Sequence, residues 1–215
     1  MIRGKSEYRT LIFDCDGVVL DSNHLKTDAF FKAALPYGQD LACALVDYHR
    51  NNGGISRYRK FDYFLSHLVP EGARGPSREE LLAEYAKLVF NGLLSCEVVP
   101  GLDQLKASMP DCRWLIVSGS DQDELRTVFG KRQLAPLFEG GIFGSPDSKD
   151  QILAREMSRG NILQPALFLG DSRYDHEAAR NAGLDFVFIN QWTEFSEWRN
   201  YCRLNNIAAH PALPW

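Results

Sequence analysis

Asp14 and Asp16 stand two residues apart, directly after the apolar run Thr10–Phe13 and directly before Gly17. Three more apolar runs end in polar residues of complementary type. Arg113–Val117 leads into Ser118-Gly119-Ser120, Gly141–Phe143 leads toward Lys149, and Ala166–Leu169 leads into Gly170-Asp171 and on to Asp175. Packing of a core does not call for carboxylates, a hydroxyl and an amine at successive run ends. Phosphoryl transfer does. Asp14 can attack phosphorus and form an aspartyl-phosphate. Asp16 can protonate the leaving oxygen and then serve as base for the hydrolytic water. Ser118, Gly119 and Lys149 can hold phosphate oxygens through a hydroxyl, backbone amides at a helix start, and an ammonium. Crowded carboxylates call for a cation, and an all-oxygen set suits Mg2+, held by the Asp14 side chain, the Asp16 carbonyl and Asp171, with Asp175 as a further candidate.

Residues of this kind meet only if the runs are neighbouring strands. Their shortness, β-branched and aromatic content and turn-rich ends favour strands over Thr10–Phe13, Arg113–Val117, Ala166–Leu169 and Asp185–Ile189, with a short one at Gly141–Phe143. Helix signals lie between them: Asp121 to Gly130, Ser148 to Arg159, and Ser172 to Ala182, each opened by a capping residue and closed at or before glycine. The alternation implies an α/β fold with a parallel sheet covered on both faces. Ligands of such sheets bind beyond the carboxyl ends of the strands, where the polar residues fall.

Residues 22–97 break the alternation. They show no convincing strand but four helical stretches, near Leu25–Leu35, Asp40–Arg50, Arg57–Leu68 and Arg78–Leu94, separated by glycines and prolines. The expected organisation is a catalytic core of residues 1–21 and 98–215 with a helical module of residues 22–97 inserted after the first strand. The tail beyond Asn190 reads as a helix followed by an irregular end.

Composition narrows the function classes. The chain has 215 residues, 45% of them hydrophobic, and a net charge of −4. It carries no basic stripe, which argues against nucleic acid as partner. Its five cysteines form no C-x-x-C pair, so neither a zinc site nor a disulfide framework is indicated. Met1 to Thr10 is polar, and no segment is apolar enough to span a bilayer. A cytoplasmic protein, monomer or homodimer, is the expectation.

Phe13-Asp14-Cys15-Asp16-Gly17-Val18-Val19-Leu20-Asp21-Ser22 resembles the first motif of the haloacid dehalogenase superfamily of hydrolases. Ser118, Lys149 and Gly170-Asp171-x-x-x-Asp175 stand where its other three motifs stand. The resemblance runs from about Arg9 to Ile189. It implies a Rossmann-like core with a small helical cap, and it is similar to phosphoglycolate-phosphatase-like and phosphoglucomutase-like members. It also implies Asp14 as nucleophile, Asp16 as acid/base, Asp14, Asp16, Asp171 and Asp175 around Mg2+, and Ser118 and Lys149 on phosphate. Lys149 is followed by Asp150 where many relatives carry proline. The expected activity is hydrolysis of a small phosphomonoester, a sugar phosphate or similar metabolite.

Substrate choice would fall to the inserted module. Its loop Gly53-Gly54-Ile55-Ser56 opens a helix with Arg57, Arg59 and Lys60, and Gly54, Arg57 and Lys60 are the candidates for the distal end of a substrate. The same cations also read as a solvated helix face. The histidines show no ligand spacing and read as surface or satisfied core groups, and Cys15 reads as a spacer pointing into the core. Three other activities fit parts of this pattern. A phosphomutase would use the same core residues. A phosphonate hydrolase would need a Schiff-base lysine, for which Lys26 and Lys32 lie in the right region. A non-catalytic interaction protein would be expected to lack one of the groups, and none is missing.

Overall fold

The computed structural model describes residues 3–215; the first two residues of the expected 1–21 segment lie outside the described residues. Among the described residues, six strands form one parallel sheet: β1 (Thr10–Phe13), β2 (Arg113–Asp121), β3 (Gly141–Ser145), β4 (Ala166–Gly170), β5 (Asp185–Ile189) and β6 (Ala208–His210), in the order β3-β2-β1-β4-β5-β6. The chain runs outward from β1 in one direction and then restarts at β4 on the other side. The crevice between the ends of β1 and β4 is therefore the topological switch point.

Both faces of the central strands are covered. Leu11 and Phe13 of β1, with Trp114 and Ile116 of β2, pack into one apolar cluster, while Ile12, Leu115, Val117 and Phe168 pack into another. This is why β1 reads as an unbroken apolar run rather than an alternating one. The fold is α/β and Rossmann-like.

Between β1 and β2 the chain forms helices and no named strand: α1 (Asn23–Ala34), α2 (Gln39–Asn51), α3 (Arg57–Tyr63) and α4 (Arg78–Ser95), then the short α5 (Leu102–Ala107). A π-helical turn, Phe64–Leu68, extends α3 and accounts for the helical pattern running on to Leu68. The outgoing and returning chains are tied where they leave the sheet. The Asp21 amide donates to the Glu97 carbonyl at 3.0 Å, and the Val99 amide donates to the Val19 carbonyl at 2.9 Å. The remaining helices are α6 (Gln122–Lys131), α7 (Lys149–Ser158), α8 (Arg173–Asn181) and α9 (Trp198–Leu204).

Two elements differ from the sequence expectation. The tail has its helix and its irregular end, residues 211–215, but a strand lies between them: α9 turns the chain back and Ala208–His210 pairs with β5 as the edge strand. Two alanines and a histidine carry no strand propensity; pairing with an existing edge supplies it. β2 also runs past Val117 to Asp121, with a register shift against β3 between those residues. Such irregularities re-aim side chains at a strand end, and Ser118-Gly119-Ser120 lies within this one. Among the described residues, no helix is long and apolar enough to cross a membrane.

Candidate active site

Asp14 follows β1, Asp171 follows β4, and Lys149 and Asp175 open α7 and α8. Local chemistry fixes α8. Ser172 caps it by accepting from the Asp175 amide at 3.3 Å, and Asp175 Oδ2 accepts from the Ser172 amide at 3.0 Å and its hydroxyl at 2.6 Å. That leaves Asp175 Oδ1 for the Lys149 ammonium. Lys149 Nζ stands 3.0 Å from Asp14 Oδ1 as well. Burial works against the charge on Lys149, but Asp14 and Asp175 outweigh it and raise its pKa.

Asp14, Asp171 and Asp175 each place a carboxylate oxygen within 4.8 Å of the other two, and all three are buried. Burial pushes Asp14 up to about 7, opposed by Lys149 and reinforced by the charges of Asp175 and Asp16. Burial also raises Asp171, with Asp14 and Asp175 adding to the effect. Asn23 partly relieves Asp171 by donating to Oδ2 at 2.8 Å. One lysine thus serves three carboxylates, and two of them are driven toward protonation. This is a site short of positive charge, and its donors are all oxygen, so the residues fit a hard divalent cation such as Mg2+.

Asp16 points elsewhere. Its carboxylate takes Lys26 Nζ at 2.6 Å, Ser22 Oγ at 2.6 Å and Ser120 Oγ at 2.7 Å. Burial would raise its pKa, but Lys26 and the hydroxyl donors overcome that and hold it at about 2. Lys26 comes from α1, so a residue of the inserted helices reaches the carboxylate two residues from Asp14. Lys32 is half-exposed on the same helix and pairs with Asp28.

A cavity of about 270 Å³ opens over these groups. Asp14, Asp16, Ser118, Gly119 and Asp171 line its floor; Lys26, Gly54, Arg57, Lys60 and Tyr85 come from the inserted helices. Lys149 and Asp175 do not line it; they lie one layer beneath Asp14. Ser118 is buried and accepts from the Ser120 amide at 3.2 Å. Gly17 has φ +77°, and a Cβ there would sit 2.2 Å from Asp171 Oδ2. Gly54 (φ +79°) lies so close to Gly119 that a Cβ on Gly119 would come 2.1 Å from the Gly54 carbonyl. That loop packs directly on the Ser118–Ser120 strand end.

The three cations of α3 separate. Arg57 is buried in an ion pair with Glu124 of α6, Arg59 is exposed, and Lys60 is buried. Four cavity residues lie outside the sequence expectation: Lys26 as partner of Asp16, His49, Glu194 and Asn23. Asn23 follows the first motif directly. Glu194 joins the loop after β5 to α1 and α2, and nothing local marks it. Its Oε2 accepts from Thr27 Oγ1, and its Oε1 stands 3.0 Å from His24 Nδ1.

Carboxylates and hydroxyls at the switch point of a doubly wound parallel sheet, under a helical insertion, define a hydrolase-type α/β scaffold. The chain belongs to the haloacid dehalogenase-like hydrolase family, whose family model matches residues 8–183. No curated protein matches it. Its fold is shared with a candidate phosphoglycolate phosphatase from Lactobacillus delbrueckii (TM-score 0.70, 16% identity, 95% of this chain and 94% of that one covered). It is shared too with a candidate hydrolase from Bacillus subtilis bound to magnesium (TM-score 0.64, 19% identity, 94% and 100% covered). A third is CbbY from Rhodobacter sphaeroides in complex with phosphate (TM-score 0.64, 17% identity, 85% and 86% covered).

Proposed function

We propose that the protein is a Mg2+-dependent phosphatase of small phosphomonoesters, with a core of residues 1–21 and 98–215 and a cap of residues 22–97. The observation that carries this reading is the buried Asp14–Lys149–Asp175 chain beside Asp171, opening through Asp14 onto a cavity that Asp16 and Ser118 also line. Family membership and structural relatives with phosphate or magnesium support it.

Asp14, Asp171 and Asp175, with the Asp16 carbonyl, would hold the ion. The bound ion would neutralise carboxylate and phosphate charge. Asp14 attacks phosphorus, and the bond to the leaving oxygen breaks with its electron pair. The leaving oxygen takes a proton from Asp16. Asp16, now ionised, takes a proton from water; the water oxygen attacks phosphorus of the aspartyl-phosphate and frees Asp14 and inorganic phosphate. Ser118 and the Gly119 amide hold phosphate oxygens. Lys149 fixes the Asp14 rotamer from beneath and offsets its charge. The ionised form in which Lys26 and Ser120 hold Asp16 is the base form; protonation requires Lys26 to release it. Lys26 is held by Asp16 and Lys32 lies on the surface outside the cavity lining, which favours neither as the free amine of a phosphonate hydrolase.

The test is release of inorganic phosphate from a panel of phosphorylated metabolites with Mg2+. EDTA should silence it reversibly, and Asp14→Asn should remove turnover while the protein stays folded. Formation of an isomeric phosphoester without free phosphate would assign a mutase. Turnover by Asp14→Asn would end the covalent reading.

A further inference from the structure

Of the buried cations on the cavity wall, Lys26 pairs with Asp16 and Arg57 with Glu124. Among the described residues, Lys60 has no carboxylate at salt-bridge distance. Its ammonium lies 2.7 Å from His49 Nδ1 and 5.4 Å from the centroid of the Phe30 ring. His49 is no counterion. Burial, with Lys60 and Lys26 beside it, pushes its pKa well down and keeps the ring neutral. The ring is fixed by Phe30 at 4.6 Å between centroids, and its Nε2 lies 4.0 Å from Glu194 Oε2. The neutral ring therefore presents Nδ1 as acceptor and orients Lys60.

A buried charge without a partner is costly, and proteins rarely keep one without a use. We propose that Lys60, oriented by His49, receives a carboxylate on the leaving group of the phosphoester, so that preferred substrates are small phosphorylated acids. This rests on the phosphatase reading and narrows it. Burial and the Lys26 charge push Lys60 down to about 7, and a docked anion would favour the charged form against both. A hydroxyl would accept a hydrogen bond from Lys60 but leave the charge uncompensated. A second phosphate would bring a dianion to one ammonium and one neutral ring, with Glu194 close behind. A volume of about 270 Å³ admits a phosphate and a short acid, not a large headgroup.

Two esters isolate the effect: phosphoglycerate and glycerol phosphate, each phosphorylated on a terminal carbon, differ in a carboxylate against a hydroxymethyl. With Mg2+, the wild-type kcat/KM for the acid should exceed that for the alcohol by about tenfold or more. Lys60→Gln should bring the ratio to about one, and Lys60→Arg should keep most of it, since it keeps the charge. A purely structural role would lower both esters alike and leave the ratio standing, which overturns the proposal. So does a wild-type ratio near one. A borohydride-trapped adduct on Lys60 with a phosphorylated aldehyde would make the residue a covalent amine and overturn it as well. Phosphate release without acid preference defeats this inference alone; no phosphate release from any ester defeats the phosphatase reading with it.

Discussion

Lys149 and Lys60 are both buried, and both belong to the surroundings of one cavity, yet their settings are opposite. Lys149, on the core side, lies between Asp14 and Asp175 and is driven to stay charged. Lys60, on the wall formed by the inserted helices, meets a neutral imidazole and is driven toward losing its charge. The core side therefore holds fixed charges assembled in advance, as a site does when it must stabilise charge without reorganising. The helical side holds a charge that waits for a partner. Under the proposed function, the difference divides chemistry from choice of substrate.

Removing each charge tests that division. Lys149→Met strands Asp14 and Asp175 in the interior. Loss of one partner of a buried ion pair costs about 3–5 kcal/mol, and phosphate release should fall by about 10³-fold or more. Lys60→Met removes a charge that nothing offsets, so its thermal midpoint should equal or exceed that of wild type. Circular dichroism melts and phosphate-release kinetics on both variants read the contrast. A Lys149→Met protein as stable as wild type, or a Lys60→Met protein that melts well below it, would break the comparison.

Lys26 sharpens it, because it is a residue of the helical side that serves the core. Lys26→Met should lower kcat/KM by about tenfold to a hundredfold, since Asp16 loses the cation that orients it. Without Lys26, the pKa of Asp16 rises from about 2 toward or above the usual carboxylate range. The alkaline limb of kcat/KM against pH, set by loss of the Asp16 proton that the leaving oxygen needs, should then move upward. A rate loss with an unshifted limb would mean that Lys26 serves substrate binding and not Asp16.

The two sides also differed in how far the sequence exposed them. The core was legible because its signals are local. An apolar run ending in Asp14-Cys15-Asp16-Gly17 is a strand and its turn, and Ser172-x-x-Asp175 is a helix start whose capping geometry also aims the second carboxylate. Each of the four long helices between β1 and β2 announced itself by turn residues and periodicity. α5, six residues long, and β6, three residues long, are too short to carry a period. The helical wall of the cavity was not legible because its contacts are distant. Thr27 and Glu194 lie 167 positions apart, Arg57 and Glu124 lie 67 apart, and Lys60 and His49 come from different helices. Lys60 and Arg57 read as a solvated face because neighbours on one helix say nothing about the elements that cover it.

The smallest effect concerns the floor itself. Asp14 is raised to about 7 in the folded protein, first by burial and then by Asp175 and Asp16. A carboxyl raised on folding contributes stability below its unfolded pKa, and that contribution is lost as pH rises through the folded value. For Asp14 the window runs from about pH 4 to about pH 7. A divalent ion takes over from the proton, so Mg2+ should stabilise the protein little near about pH 5.5 and more near about pH 8.5. A difference of about 2 kcal/mol would appear as about 4–8 °C in the thermal midpoint for a chain of this size. Asp14→Asn should flatten the dependence and should melt above the wild type in EDTA at the higher pH, because it removes a carboxylate from a site with too many. Lys60→Met should leave the Mg2+ effect in place, since Lys60 lies on the helical wall and contacts none of the three carboxylates. A gain from Mg2+ that is equal at both pH values would mean that Asp14 is already ionised without the ion at the lower pH.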